Sequence, residues 1–182
     1  MAKTQNDIAN YLDVIYDAVI LNGKTHDEAL AITSDLCNLL ISSTLKMVEE
    51  SARGSDFIKE MISQDAFNQS KIENTQLDKN NYKNALILIL EKWSKQAEKS
   101  LLPTNKSAKE IITNFANTIL ESDTEKIVIE PAIGTASLLL NINYNQVLGC
   151  DNNERLVTFA RNLLELSDKD NDNIYSNNSL NK

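Results

Sequence analysis

Lys126-Ile127-Val128-Ile129-Glu130-Pro131-Ala132-Ile133-Gly134-Thr135-Ala136-Ser137-Leu138-Leu139-Leu140 is the stretch on which the reading of this chain turns. Ile127-Val128-Ile129 is short, β-branched and uninterrupted, the pattern of a parallel strand covered on both faces. Pro131 and Gly134 mark a tight turn, and the apolar run after it opens a short helix expected over 136–142. Twenty-one residues after Glu130 a second acidic residue, Asp151, closes the next apolar run, Gln146-Val147-Leu148-Gly149-Cys150. A strand, a small-residue turn and a second acidic strand end lead to the expectation of a nucleotide or nucleoside cofactor site.

A cofactor carrying adenosine asks three things of such a turn: close backbone approach, a sharp change of direction, and a carboxylate at the end of the second strand to meet ribose hydroxyls. Gly134 meets the first two, having no side chain in the way. Asp151 is placed for the third, since a carboxylate accepts from two vicinal hydroxyls. Glu130, at the end of the first strand, can reach a positively charged or amino group. The same Gly-Thr turn also occurs as a purely structural loop. No Lys follows Gly134 in the register of a phosphate loop, and the three-glycine dinucleotide fingerprint is absent.

Upstream the periodicity is helical. Ile8, Leu12, Ile15 and Val19 make one face of a helix over 5–21, ended by Asn22-Gly23. Thr25 and Glu28 form a capping box for a second helix, with Leu36, Leu40, Thr44 and Val48 along its stripe and Gly54 as its stop. A shorter helix is expected over 55–67 and a polar loop from Asn68 to Thr75. Next comes a strongly apolar helix with Tyr82, Leu86, Ile89, Leu90 and Trp93 inward, which Ile87 and Leu88 widen to burial from more than one side. Trp93 reads as core. Pro103 breaks the pattern, Ser107 and Glu110 cap the next helix, and Ile111, Ile112, Phe115, Ile119 and Leu120 bury it. Beyond the second strand, Glu154 to Leu166 is a helix, and Asp168 to Asn178 reads as a loop around Ile174-Tyr175. The chain thus divides into a helical N-terminal domain, residues 1–104, and the opening of an α/β domain with an incomplete parallel sheet, residues 105–182.

Composition narrows the function classes. The chain has 182 residues and a formal net charge of −8. Residues 1–60 carry ten acids against five bases, and no segment is strongly basic. The electrostatic footprint of a strong nucleic-acid binder is therefore missing. Cys37 and Cys150 read as buried free thiols in a reducing compartment, and no Cys/His spacing suggests zinc or another metal. His26, the only histidine, sits beside a helix cap rather than in a catalytic setting. No apolar run approaches the ~18–20 residues of a membrane span, and a cytoplasmic protein is expected.

At residues 130–140 the chain resembles the first motif of class I S-adenosylmethionine-dependent methyltransferases. The adenine-specific DNA methyltransferases, whose motif runs Asp-Pro-Ala-x-Gly-Thr-Gly before an apolar helix, are the most similar branch. Gly149-Cys150-Asp151 resembles the second motif. The resemblance implies a Rossmann-like domain with S-adenosyl-L-methionine as cofactor. It implies that Glu130, Pro131, Ala132, Gly134 and Thr135 line the methionine side and that Asp151, with Asn152, holds the ribose. Leu102-Pro103-Thr104-Asn105 is similar to a Thr-Pro segment that closes over the cofactor, which adds Thr104. Asn177, or Asn178, stands where the family places an acid beside the adenine. Residues 5–100 resemble the helical N-terminal region of a bacterial subgroup related to type I restriction modification subunits.

Three residues depart from the pattern: Glu130 for Asp, Ala136 for the second Gly, and Asn177 or Asn178 for the adenine-side acid. The family's catalytic Asn/Asp-Pro-Pro-Tyr/Phe does not occur, and the only prolines are Pro103 and Pro131. No catalytic residue is therefore assigned, and DNA is a partner only for a complete protein. In the family the first strand is flanked by the second and the fourth. Without a fourth strand, Ile127–Ile129 keeps an open edge that invites pairing. The expectation is a cofactor-binding N-terminal portion, inactive alone. The alternative is a non-catalytic relative that binds a methyltransferase or restriction complex, or its own copy, across that edge.

Overall fold

The computed structural model describes residues 5–42, 79–96, 106–122 and 125–177. The chain forms two compact units, Met1–Glu91 and Lys92–Lys182.

In the first unit, α1 (Gln5–Leu21) and α2 (His26–Ser42) are joined by a short turn, and α3 begins at Lys79 and runs to Gln96. The periodicity places α1 well: Leu12, Ile15, Tyr16 and Val19 are all buried. Gly23 ends the helix in the left-handed region at φ 79, where its N–H donates to the Ile20 carbonyl. The capping box is present in both directions. Thr25 N–H donates to Glu28 Oε2 at 3.1 Å, and Glu28 N–H donates to Thr25 Oγ1 at 3.4 Å. His26 Nδ1 lies 2.7 Å from the Tyr16 hydroxyl, so this histidine ties α2 to α1. Burial first, then neighbouring Asp17, pushes the Tyr16 hydroxyl well above its ordinary range. On α3, Tyr82, Ala85, Leu86, Ile89 and Leu90 are buried while Leu88 is exposed. This helix is covered along one stripe, not from several sides, because the apolar run Ile87-Leu88 spills past a face that Ala85 already completes. The side chains of Ile8, Leu40 and Trp93 lie outside the described residues, as do Thr44, Val48, Gly54, the helix over 55–67, the loop from Asn68 to Thr75, and residues 97–105 with Pro103 and Thr104.

The second unit carries α4 (Lys106–Leu120), β1 (Ile127–Glu130), a single 3₁₀ turn at Leu139–Asn141, β2 (Gln146–Asp151), α5 (Glu154–Glu165) and β3 (Asn173–Ser176). The three strands form a parallel sheet in the order β1-β2-β3. Val128, Val147 and Ile174 point to one face and pack with Val157, Ala160 and Leu164 of α5, with Leu120, and with Leu139 and Ile142 of the crossover. Asn153 caps α5, its side-chain oxygen accepting from Arg155 N–H at 3.0 Å and Leu156 N–H at 3.4 Å.

Four sequence expectations are corrected here. The segment after the turn is not an α-helix: Ala136 is left-handed at φ 55, and the few residues from there to Gln146 leave room for one 3₁₀ turn. The Ile174-Tyr175 segment is a strand and not a loop. Only Ile174 is buried, so no alternation was visible among its polar neighbours. α4 begins one residue before Ser107, which lies in its first turn instead of capping it. Its large apolar residues do not bury it: Ile111 is 70% exposed and Phe115 68%, with Ile112 and Ile119 also outward. What orients α4 is polar stitching to the crossover. The Asn117 amide donates to the Asn141 carbonyl at 2.9 Å and accepts from Asn143 N–H at 2.7 Å, turning Thr113, Ala116 and Leu120 inward.

The fifth difference is larger. β1 is not covered on both faces. Ile127 is 52% exposed, Ile129 68%, Leu148 47% and Tyr175 49%, and all four alternate with the buried residues of their strands. One face of the sheet is bare.

Candidate functional site at the strand ends

The C-terminal ends of the three strands are bound to one another by backbone and carboxylate hydrogen bonds. Ile133 N–H donates to the Cys150 carbonyl at 2.9 Å, folding the turn after β1 over the end of β2. Asp151 joins three segments. Its Oδ2 accepts from Gly134 N–H at 2.9 Å, its Oδ1 accepts from Asn153 N–H at 2.9 Å, and its carbonyl accepts from Asn177 N–H at 2.9 Å. Bonds from N–H groups to an ionised acceptor are among the stronger ones a protein makes. The short side chain and half-buried position of Asp151 fix the distance between the two strand ends.

Gly134 is the bend. Its φ is 50, a conformation in which an L side chain is strained, and a Cβ placed on it meets nothing within 4 Å. The space above the bend is open, so the glycine is required by the backbone and leaves a cradle. Gly149 does a different job. A Cβ there would lie 2.6 Å from Ile133 Cδ1, so its absence lets the turn close down onto β2. Ile133, Thr135, Ala136 and Ser137 are buried, whereas Pro131 and Ala132 are exposed. Glu130 Oε1 accepts from Ala132 N–H at 3.2 Å and so braces the turn it precedes.

Glu130, Pro131, Ala132, Gly134, Thr135, Asp151, Asn152 and Asn177 therefore all lie at the same edge of the sheet, on segments in direct contact. Thr135 is buried, while Asn152 and Asn177 are exposed. Thr104 and Asn178 lie outside the described residues. Sequence reasoning missed the Asp151–Gly134 bond and the left-handed Ala136. The first had no signal in spacing. The second had one, since Ala136 replaces a glycine of the motif. Cys150 is only partly buried, with its Sγ 3.4 Å from the Pro131 carbonyl; Cys37 alone matches the expectation of a buried thiol. Among the described residues, no three His, Cys, Asp or Glu side chains are grouped to hold a metal, and no helix is long and apolar enough to cross a membrane.

Open strand ends, a glycine bend without a Cβ and a carboxylate with lone pairs to spare fit a small polar ligand carrying vicinal hydroxyls. The fold has a solved counterpart. A candidate class I S-adenosylmethionine-dependent methyltransferase from Listeria monocytogenes matches with a TM-score of 0.68 at 15% identity, over 98% of this chain and 54% of that one. Helices followed by the opening of a parallel Rossmann-like sheet are thus the fold of this chain, which spans about half the length of the structure it matches. No family model and no curated protein matches the sequence.

Proposed function

We propose that this chain is the S-adenosylmethionine-binding, N-terminal portion of an adenine-specific DNA methyltransferase-like protein. The observation that carries the reading is the contact between Gly134 N–H and the Asp151 carboxylate at 2.9 Å, which puts the glycine bend and the acidic strand end at one crevice. S-adenosylmethionine, when bound, supplies a methyl group activated by its sulfonium charge. The residues of this chain hold and orient it. The bend at Gly134 lets the cofactor approach the main chain, and Glu130 offers its second carboxylate oxygen to the methionine amino group. Asp151 accepts from the ribose hydroxyls through lone pairs not used by Gly134 and Asn153. Asn152 and Asn177 are exposed beside it and can bond the sugar and the adenine edge. Holding the target base falls to residues this sequence does not contain, so the chain alone is expected to bind cofactor without transferring methyl groups. DNA is a partner only of a complete protein, and the type I restriction modification subgroup remains part of the same proposal.

Calorimetric titration of the chain with S-adenosylmethionine tests this. Binding is expected, and both Gly134→Ala and Asp151→Asn should weaken it at least tenfold. No heat at millimolar cofactor, or variants that bind as well as the parent, would overturn the reading.

A further inference from the structure

The bare face and the free edge of the sheet occur together, and their geometry specifies what covers them. We infer that the sheet is a docking surface for a second polypeptide built of parallel βα units, one strand of which pairs with β1 while its helix lies on Ile127, Ile129, Leu148 and Tyr175. Parallel strands are stable where both faces are covered, usually by the helices that connect them. Here the sheet grows from β1 through β2 to β3, and the β2–α5–β3 connection lies on the covered face. Connections between parallel strands are right-handed. A connection stepping to the other side of β1 must therefore place its helix on the opposite face, which is the bare one. The same operation fills the edge and covers the four apolar side chains.

A second copy of this chain does only one of the two. Antiparallel pairing of two β1 edges is related by an axis perpendicular to the sheet, so both bare faces end up on the same side and stay uncovered. Stacking the two bare faces covers them and leaves both edges open. The structural match points the same way, since 46% of the Listeria chain lies beyond the match that takes in 98% of this one. The inference rests on sheet geometry and not on the cofactor reading, so a chain that fails to bind S-adenosylmethionine can still take this partner.

The test is complementation in trans. The full 182-residue chain is mixed with a polypeptide comprising the unmatched part of the Listeria protein, and complex formation is followed by light scattering and by amide hydrogen exchange. A one-to-one complex is expected, with exchange in 127–130 and 146–150 slowed at least tenfold. The double substitution Ile129→Asp, Leu148→Asp leaves the circular dichroism of the chain unchanged, because both side chains are exposed, and weakens the complex at least tenfold. Three results would each overturn the inference: no complex at 100 μM, a complex indifferent to the double substitution, or a symmetric dimer of the chain alone with 127–130 already protected.

Discussion

The two faces of the sheet are drawn from the same few residues and meet opposite fates. Val128, Val147 and Ile174 alternate with Ile127, Ile129, Leu148 and Tyr175 along three short strands. The first set is packed against α5 and the crossover; the second faces water. Side-chain chemistry does not separate them, since isoleucine, valine and leucine dominate both. What separates them is topology: each connection within this sheet returns over one face. Hydrophobic residues in a strand thus report that a face is meant to be covered, and not which segment covers it.

The difference between the faces has measurable consequences. The largest belongs to the covered side. Leu164→Ala removes a fully buried side chain of α5 and should cost about 2–5 kcal/mol. Urea unfolding of the full chain, with amide exchange of 146–151 as the local readout, measures it. A loss below 1 kcal/mol would mean that the covered face is no better packed than the bare one. At the strand ends, Asp151→Asn weakens the acceptor shared by Gly134 and Asn153 and should cost about 1–3 kcal/mol. The same exchange measurement should show faster exchange at Gly134 and Asn153 than at the middle of β2.

The turn offers a pair of opposite sign. Gly134→Ala places a side chain at φ 50 and should destabilise by about 1 kcal/mol, although it meets no neighbour. Ala136→Gly relieves the same kind of strain at φ 55 and should stabilise by about 1 kcal/mol. Thermal midpoints moving in opposite directions check both. The smallest effect sharpens the contrast of the two faces. Ile129→Ser should change the stability of the isolated chain by no more than about 0.5 kcal/mol, because its side chain is exposed before and after unfolding.

Much of this was legible in the residues. Helical periodicity located α1, the capping box at Thr25 and Glu28 located the start of α2, and β-branching located β1. The acidic ends at Glu130 and Asp151 announced the shared crevice. Two kinds of feature were not legible. β3 buries one residue, Ile174, and a single apolar position has no period. The orientation of α4 is set by Asn117, whose bonds to Asn141 and Asn143 prevail over the more apolar side carried by Ile111 and Phe115. Amphipathicity shows that a helix has two sides, and here a carboxamide decides which one faces in.

The two cysteines make a final use of the contrast between buried and open positions. Cys37 is sealed in the helical unit, where burial holds its thiol protonated and out of reach of reagents. Cys150 stands between Gly149 and Asp151 with its sulfur partly open to solvent. A maleimide fluorophore should therefore label the folded chain at one position without mutagenesis, and its emission would report directly when a small molecule arrives beside it.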